Sequence, residues 1–400
     1  MSRLLEGIRV LDLTNVLAGP FCGYQFAVLG ADVIKVEAPG IGDLARQLGA
    51  DAGLNAAHLG ASFLAQNAGK RSLSLNLKKP EGRAVFLALA ATADVVVENF
   101  RPGVMDRLGL GYAALRAANP RLVYCAISGF GADGPLRHNP AYDQIIQGLS
   151  GVMSVTGTPE TAPLRVGYPV ADTMGGITAA FAIAAALVGR QSTGTGSFID
   201  VSMLESTLVA MGWAVSNWLI AGVPPQPMGN DNMTAAPSGT FRTADRPLNI
   251  AANKQEQFVT LAELIGRADL VENPLFASRE ARKLNRAALT AEIEAALAAR
   301  PAAEWSIRLN AAGVPAGEVL DLPSILRHPQ VTGRDLVKHI PMPALPAGEV
   351  AVVRSGYRLS GGDPEPRLPP PELGQHSRAI LRELGYDDAA IDAFEAGGVI

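Results

Sequence analysis

Cysteine is nearly missing from this chain, with Cys22 and Cys125 its only two in 400 residues. Two thiols build neither a disulfide framework nor a cysteine metal site, so both read as core packing. The five histidines (His58, His138, His328, His339, His376) have no spacing that makes a metal pair on one helix face. Charge is sparse at 18%, and a net charge of −4 gives no basis for a nucleic-acid partner. Arg9 and Asp12 interrupt the first apolar run, which argues against a signal peptide. The longest apolar stretch, Gly176 to Gly189, reads as a buried helix too short to span a bilayer. A cytoplasmic protein with no membrane partner follows. No G-x-S-x-G elbow, Walker loop or CxxC occurs, and the turn after the first strand reads AGPFCG rather than G-x-G-x-x-G. That speaks against a nicotinamide enzyme.

What is present is apolar. Hydrophobic residues reach 48%, which suits large buried interfaces and an oligomer, and 400 residues suggest two domains. Residues 8–14 (IRVLDLT) and 31–37 (ADVIKVE) read as strands flanking a helix that starts just after Pro20. Residues 73–77, 94–98 and 122–128 read as further strands, with a helix from about Pro80 to Thr92. Strands alternating with helices imply a parallel α/β sheet. An apolar helix follows at 175–189 and another at about 203–221. The Pro- and Gly-rich segment 224–239 then marks a domain boundary. Residues 240–325 read as a smaller α/β unit, and a charged helix lies near 377–384.

Two segments carry candidate chemistry. Asp172, in VADTMGG, sits at a loop–helix junction, where a carboxylate is either a plain N-cap or a reactive group. The functional reading uses the flanking glycines to admit a bulky substrate and the helix-end amides to stabilise developing anions. NFRPGVMDRLG (99–109) follows a strand and offers Arg101 and Arg107 to a phosphate-rich ligand, or else two ordinary surface arginines.

Taken together, the segments resemble the class III CoA-transferases, the family of formyl-CoA transferase and carnitine CoA-transferase. The likeness runs through GIRVLDLTNVLAGP (7–20), LGADVIKVEAPGIGD (29–43), GKRSLSLNLKKPEGR (69–83) and ADVVVENFRPGVMDRLGLGY (93–112). It continues in NPRLVYCAISGFGADGP (119–135), AYDQIIQGLSGVMSVTG (141–157), TGTGSFIDVSMLES (193–206), GVPAGEVLDL (313–322) and PPPELGQHS (369–377). The resemblance implies a Rossmann-like large domain from residues 1–200 and 340–400, and a linker helix and crossover at 201–239. A small α/β domain at 240–325 and a return linker at 326–339 complete the chain. It also implies an interlocked homodimer.

By the same resemblance Asp172 is the nucleophile, carrying CoA as an aspartyl thioester between an acyl-CoA donor and a carboxylic acid acceptor. No metal or cofactor is implied; CoA enters as substrate. The family's CoA-binding positions fall on Leu17, Ala18, Leu75, Leu77, Lys78, Asn99, Phe100, Arg101, Arg107 and Tyr142. For Leu75, Leu77 and Phe100, ordinary core packing is the alternative. Relatives close in pattern use succinyl-CoA with dicarboxylates such as glutarate or mesaconate. Asn15, Lys254 and Gln255 are candidates to meet the acid, and Arg46, Arg71 and Lys254 to meet its distal carboxylate. Where formyl-CoA enzymes carry His and Gln this chain has Asn15 and Leu17, and Ala38 replaces an Arg, which speaks against formyl or oxalyl specificity. Two other readings stand beside this one. An α-methylacyl-CoA racemase would align its Asp with Asp172 but needs a His where Tyr142 stands. A non-catalytic CoA-binding protein would lack the aspartate or its glycines.

Overall fold

The computed structural model describes residues 4–400, and the chain forms two compact units. The first comprises the chain up to Val152, Arg165–Pro224 and Thr332–Ile400; the second comprises Met153–Leu164 and Pro225–Val331.

The first unit is built on six parallel strands: β1 (Arg9–Asp12), β2 (Asp32–Glu37), β3 (Arg71–Ser74), β4 (Val95–Glu98), β5 (Val123–Ser128) and β6 (Phe198–Ser202). They lie in the order β3-β2-β1-β4-β5-β6, so the order reverses between β1 and β4. Successive residues of a strand face opposite ways, and both faces here are apolar. Leu11, Ile34, Leu73, Val96 and Tyr124 pack under the helices Pro80–Thr92, Ser377–Glu383 and Asp388–Ala396. Val10, Val33, Val95, Val123 and Cys125 pack under Ala18–Val28 and Val170–Thr193. Fully burying one such aliphatic side chain contributes about 1.5–3 kcal/mol. Both cysteines are buried in this second layer, where desolvation pushes their thiols up out of the reactive range.

Several expectations are corrected. The third strand lies at Arg71–Ser74 rather than 73–77, which leaves Leu77 beyond its end. The first helix starts at Ala18, two residues before Pro20, because a proline is tolerated in a first turn whose amides have no intrahelical acceptor. Phe198–Ser202 is a strand that no apolar run in the sequence announces, since at the sheet's edge it buries only its last two residues. The apolar stretch 203–221 is two helices, Met203–Ala210 and Gly212–Ala221. The largest shift concerns Val170–Thr193, a 24-residue helix rather than one confined to 175–189. By length and composition it is long enough to cross a membrane. Its Ala171, Ala179, Ile183 and Leu187 instead belong to the sheet's core.

The second unit has an antiparallel sheet of β7 (Ser238–Phe241), β8 (Leu248–Ala251) and β9 (Ala316–Glu318), in that order. Phe241, Leu248 and Ile250 bury against Phe258, Leu261, Ile293, Trp305 and Leu309 of its helices.

Candidate active site

Ligands in an open parallel sheet collect beyond the strand C-termini where strand order reverses. The loops after β1, β4 and β5 enclose a cavity of about 270 Å³ at that point. Of the sequence candidates, Asn15, Leu17, Ala18, Asn99, Phe100, Arg101, Tyr142 and Asp172 line it. Leu75, Leu77, Lys78 and Arg107 do not. Leu75 is buried in the core, with Leu77 packed at its edge, while Lys78 and Arg107 point to solvent.

Asp172 stands in the first turn of Val170–Thr193, not at its cap, which is Pro169. The missing cap is supplied from far away in the sequence: Asp143 Oδ1 accepts from the Ala171 amide at 2.9 Å. The other Asp143 oxygen takes Gln147 Nε2 at 2.7 Å and Arg165 Nη2 at 3.0 Å. Asp143 is thus spent on holding the helix start, which leaves Asp172 free of structural duty. Among the described residues the Asp172 carboxylate accepts no hydrogen bond, and it is half-buried. Burial first, and the Asp143 charge second, push its carboxyl up to about 7, against the pull of Arg165.

The glycines after Asp172 serve packing rather than substrate access. A Cβ on Gly176 would lie 2.4 Å from Ala18 O, and one on Gly175 2.9 Å from Met203 Cγ. They let the helix press against Ala18–Val28 and Met203–Ala210, which brings Asp172 to the cavity wall formed by Ala18 and Met203.

The facing wall is held by side chains. Asn99 Oδ1 accepts from the Asn15 amide and Asn99 Nδ2 donates to Asn15 O, each at 2.8 Å, so the Asn99 side chain serves the loop. Glu98 accepts from the Phe100 amide at 2.7 Å and from Tyr124 Oη at 3.3 Å, and burial pushes its carboxyl up to about 7. It lines a neighbouring cavity together with Asp106, Asp200, Tyr112 and Phe198.

Arg137 and Met203 are among the lining residues that the sequence does not single out. Arg137, whose Nε donates to His138 Nε2 at 2.9 Å, joins Arg101 as the cavity's second guanidinium, and Met203 forms part of its apolar side. The only hint was a basic residue soon after a strand end, in a loop rich in Gly and Pro. Two distal-carboxylate candidates are corrected. Arg46 is buried, with Nε and Nη2 donating to Glu37 at 2.7 and 2.8 Å and Nη1 and Nη2 donating to Pro371 O. Arg71 opens β3, at the strand end opposite the cavity, and pairs with Asp32 and Glu383. Lys254 and Gln255 belong to the second unit, where Gln255 Oε1 accepts from Arg282 Nη1 at 2.9 Å and the Lys254 amide donates to Gln257 Oε1 at 3.1 Å at the start of the helix Gln255–Leu264.

Residues 5–377 match CoA-transferase family III. Acetyl-CoA:oxalate CoA-transferase of Acetobacter aceti is 40% identical over 386 residues, covering 96% of either chain. Succinate–glutarate CoA-transferase of Agrobacterium fabrum is 36% identical and covers 95% of either chain. The crystal structure of a CaiB/BaiF family protein from Brucella suis superposes with a TM-score of 0.82 at 36% identity, covering 95% of this chain and 98% of that one. With a family match across nearly its whole length and relatives this similar, the chain belongs to CoA-transferase family III, and it is an enzyme of that class.

Proposed function

We propose that the chain moves CoA from an acyl-CoA to a small dicarboxylate through a covalent thioester on Asp172, within a Rossmann-like large domain. The observation that carries this is one carboxylate at the strand-order reversal, half-buried, with no hydrogen bond to occupy it. A poorly solvated carboxylate is more basic, and hence more nucleophilic, than one in water.

The chemistry runs in two halves. An ionised Asp172 oxygen attacks the acyl carbonyl, the carbon–sulfur bond breaks, and CoA leaves as thiolate from a mixed anhydride. The thiolate then attacks the aspartyl carbonyl, releasing the donor acid and leaving CoA on Asp172. An acceptor carboxylate attacks that thioester, and the same steps in reverse return acyl-CoA and free Asp172. The thioester's free energy is retained only if water stays out. The positive end of the Val170–Thr193 helix dipole favours negative charge developing beside it. Arg101 and Arg137 suit the phosphates of CoA. Succinyl-CoA with glutarate and acetyl-CoA with oxalate are the substrate pairs suggested by relatives' names. The oxalate enzyme's 40% identity returns oxalate to consideration, although Asn15, Leu17 and Ala38 spoke against oxalyl groups.

The reading extends to a homodimer. No residue of Gly212–Ala221 is buried, and Phe181 (76% exposed) and Ile220 (86%) stand with Val188, Val209, Trp213 and Leu219 as exposed apolar side chains. Apolar exposure on that scale suits coverage by a second copy.

The test is intact-mass spectrometry of wild type and Asp172→Ala after mixing with acyl-CoAs. A hydroxylamine-sensitive gain of one CoA in wild type alone supports the mechanism. No adduct with any donor, together with α-proton exchange in deuterated water, replaces it with a racemase.

A further inference from the structure

Beneath the cavity wall lies a cluster of charges that the transfer chemistry does not use. Asp12, Lys35, Asp43 and Lys70 are all fully buried. Lys35 Nζ lies 2.9 Å from Asp43 Oδ2, and Lys70 Nζ 2.8 Å from Asp12 Oδ2. Desolvating such pairs is costly, and well-packed apolar residues often serve stability equally well or better. Their contacts show what they do instead. Lys35 Nζ donates to Thr14 O at 2.7 Å, and Asp12 Oδ1 accepts from the Thr14 amide at 3.0 Å. Asp43 Oδ1 accepts from the Val16 amide at 2.9 Å and also caps Ala45. Lys70 Nζ further binds Pro20 O at 2.9 Å, in the helix that follows the loop.

Val16 is the residue that needs holding. Its φ is 68°, in the left-handed region, where a β-branched side chain is disfavoured by roughly 1–2 kcal/mol. An unrestrained valine would return to extended backbone and swing Asn15 and Leu17, its neighbours in the wall facing Asp172.

We propose that Lys35 and Asp43 are positioning residues for CoA transfer, holding Val16 left-handed so that the Asn15–Leu17 wall keeps its place opposite Asp172. The proposal rests on that cavity being the site of transfer. Reacting groups displaced by about 1 Å can cost up to about 10²-fold in rate, so a clamp bonded to the wall's own backbone matters to turnover. It acts through the backbone and touches no substrate.

The test uses the full chain and avoids leaving one buried charge alone. Lys35→Met/Asp43→Asn removes both charges but keeps an acceptor for the Val16 amide; Lys35→Met/Asp43→Ala removes the acceptor as well. Turnover is measured with succinyl-CoA plus glutarate or acetyl-CoA plus oxalate, whichever pair wild type uses faster, with circular dichroism and Tm alongside. The Asn variant is expected within about threefold of wild-type kcat and the Ala variant about tenfold or more below it. Adding Val16→Gly to the Ala variant should recover most of that loss without restoring Tm, because glycine takes positive φ at no steric cost. Equal kcat in the Asn and Ala variants, or no recovery with Val16→Gly in a protein that remains folded, overturns the proposal. Asp172→Ala, run in parallel, separates the two possible failures: undiminished turnover there would mean the cavity itself was wrongly chosen.

Discussion

The carboxylates on either side of the Asn15–Leu17 wall show what burial alone does not decide. Asp12 and Asp43, beneath it, meet desolvation that would raise them, but Lys70 and Lys35 and several hydrogen bonds hold both below the ordinary carboxylate value. Asp172, across the cavity, meets desolvation without a cation in contact and rises to about 7. The supply of partners, more than depth, separates a structural carboxylate from a reactive one. The two groups also affect stability in opposite senses. For Asp12 and Asp43, stability is present above the unfolded value near 4 and is lost as pH falls through their lower folded values. For Asp172 the folded group binds its proton more tightly than the unfolded one, so its contribution falls as pH rises from about 4 to 7 and stays level above.

Removing one member from each side should break the comparison cleanly. Asp172→Asn is expected to lower turnover by about 10³-fold or more while raising Tm most at pH 8, as read by initial rates and thermal melts. A variant as active as wild type would end the nucleophile reading. Asp12→Ala leaves Lys70 buried without its carboxylate and is expected to cost about 3–5 kcal/mol in a urea titration. A loss below about 1 kcal/mol, the scale of an exposed pair, would mean that water reaches the cluster.

Much of this architecture was legible because parallel strands bury both faces and so print as apolar runs: VVVE and VYCAIS announce β4 and β5 directly. The cap of the Asp172 helix was not legible. At a loop–helix junction Asp172 reads equally as an N-cap or a reactive group, whereas the acceptor for the Ala171 amide is Asp143, 28 positions before Ala171 and adjacent only in the fold. The clamp leaves one trace in the sequence. Lys35 stands mid-strand in DVIKVE, and a lysine inside a strand buried on both faces needs an anion close by. Which anion it finds depends on how the 38–43 loop returns, and no periodicity encodes that.

A gentler perturbation sharpens the difference in cation supply. Arg101 and Arg137 line the cavity, yet neither is among the groups that shift Asp172. Arg101→Ala and Arg137→Ala are each expected to raise KM for the acyl-CoA by about tenfold, near the 1.5 kcal/mol lower bound for a charge-assisted bond. Because phosphate binding is the same in ground and transition states, kcat should change little. A fall in kcat at unchanged KM would move these arginines from CoA binding to the reacting centre.

The smallest expected effect is the most diagnostic of what tunes Asp172. Asp143→Asn keeps an acceptor for the Ala171 amide but removes the negative charge that helps hold Asp172 up, and it leaves Arg165 uncompensated. Both changes favour the ionised form, so the pH at which kcat/KM rises to half its plateau should move down from about 7. Burial is the larger cause and is untouched, so the midpoint should stay above the ordinary carboxylate value near 3.8. Glu98 also titrates near 7 and lies across the Phe100 turn, so Glu98→Gln is the control. If Glu98→Gln moves the midpoint and Asp143→Asn does not, the ionisation that limits the reaction belongs to the neighbouring cavity, and the unpartnered state of Asp172 has been given the wrong job.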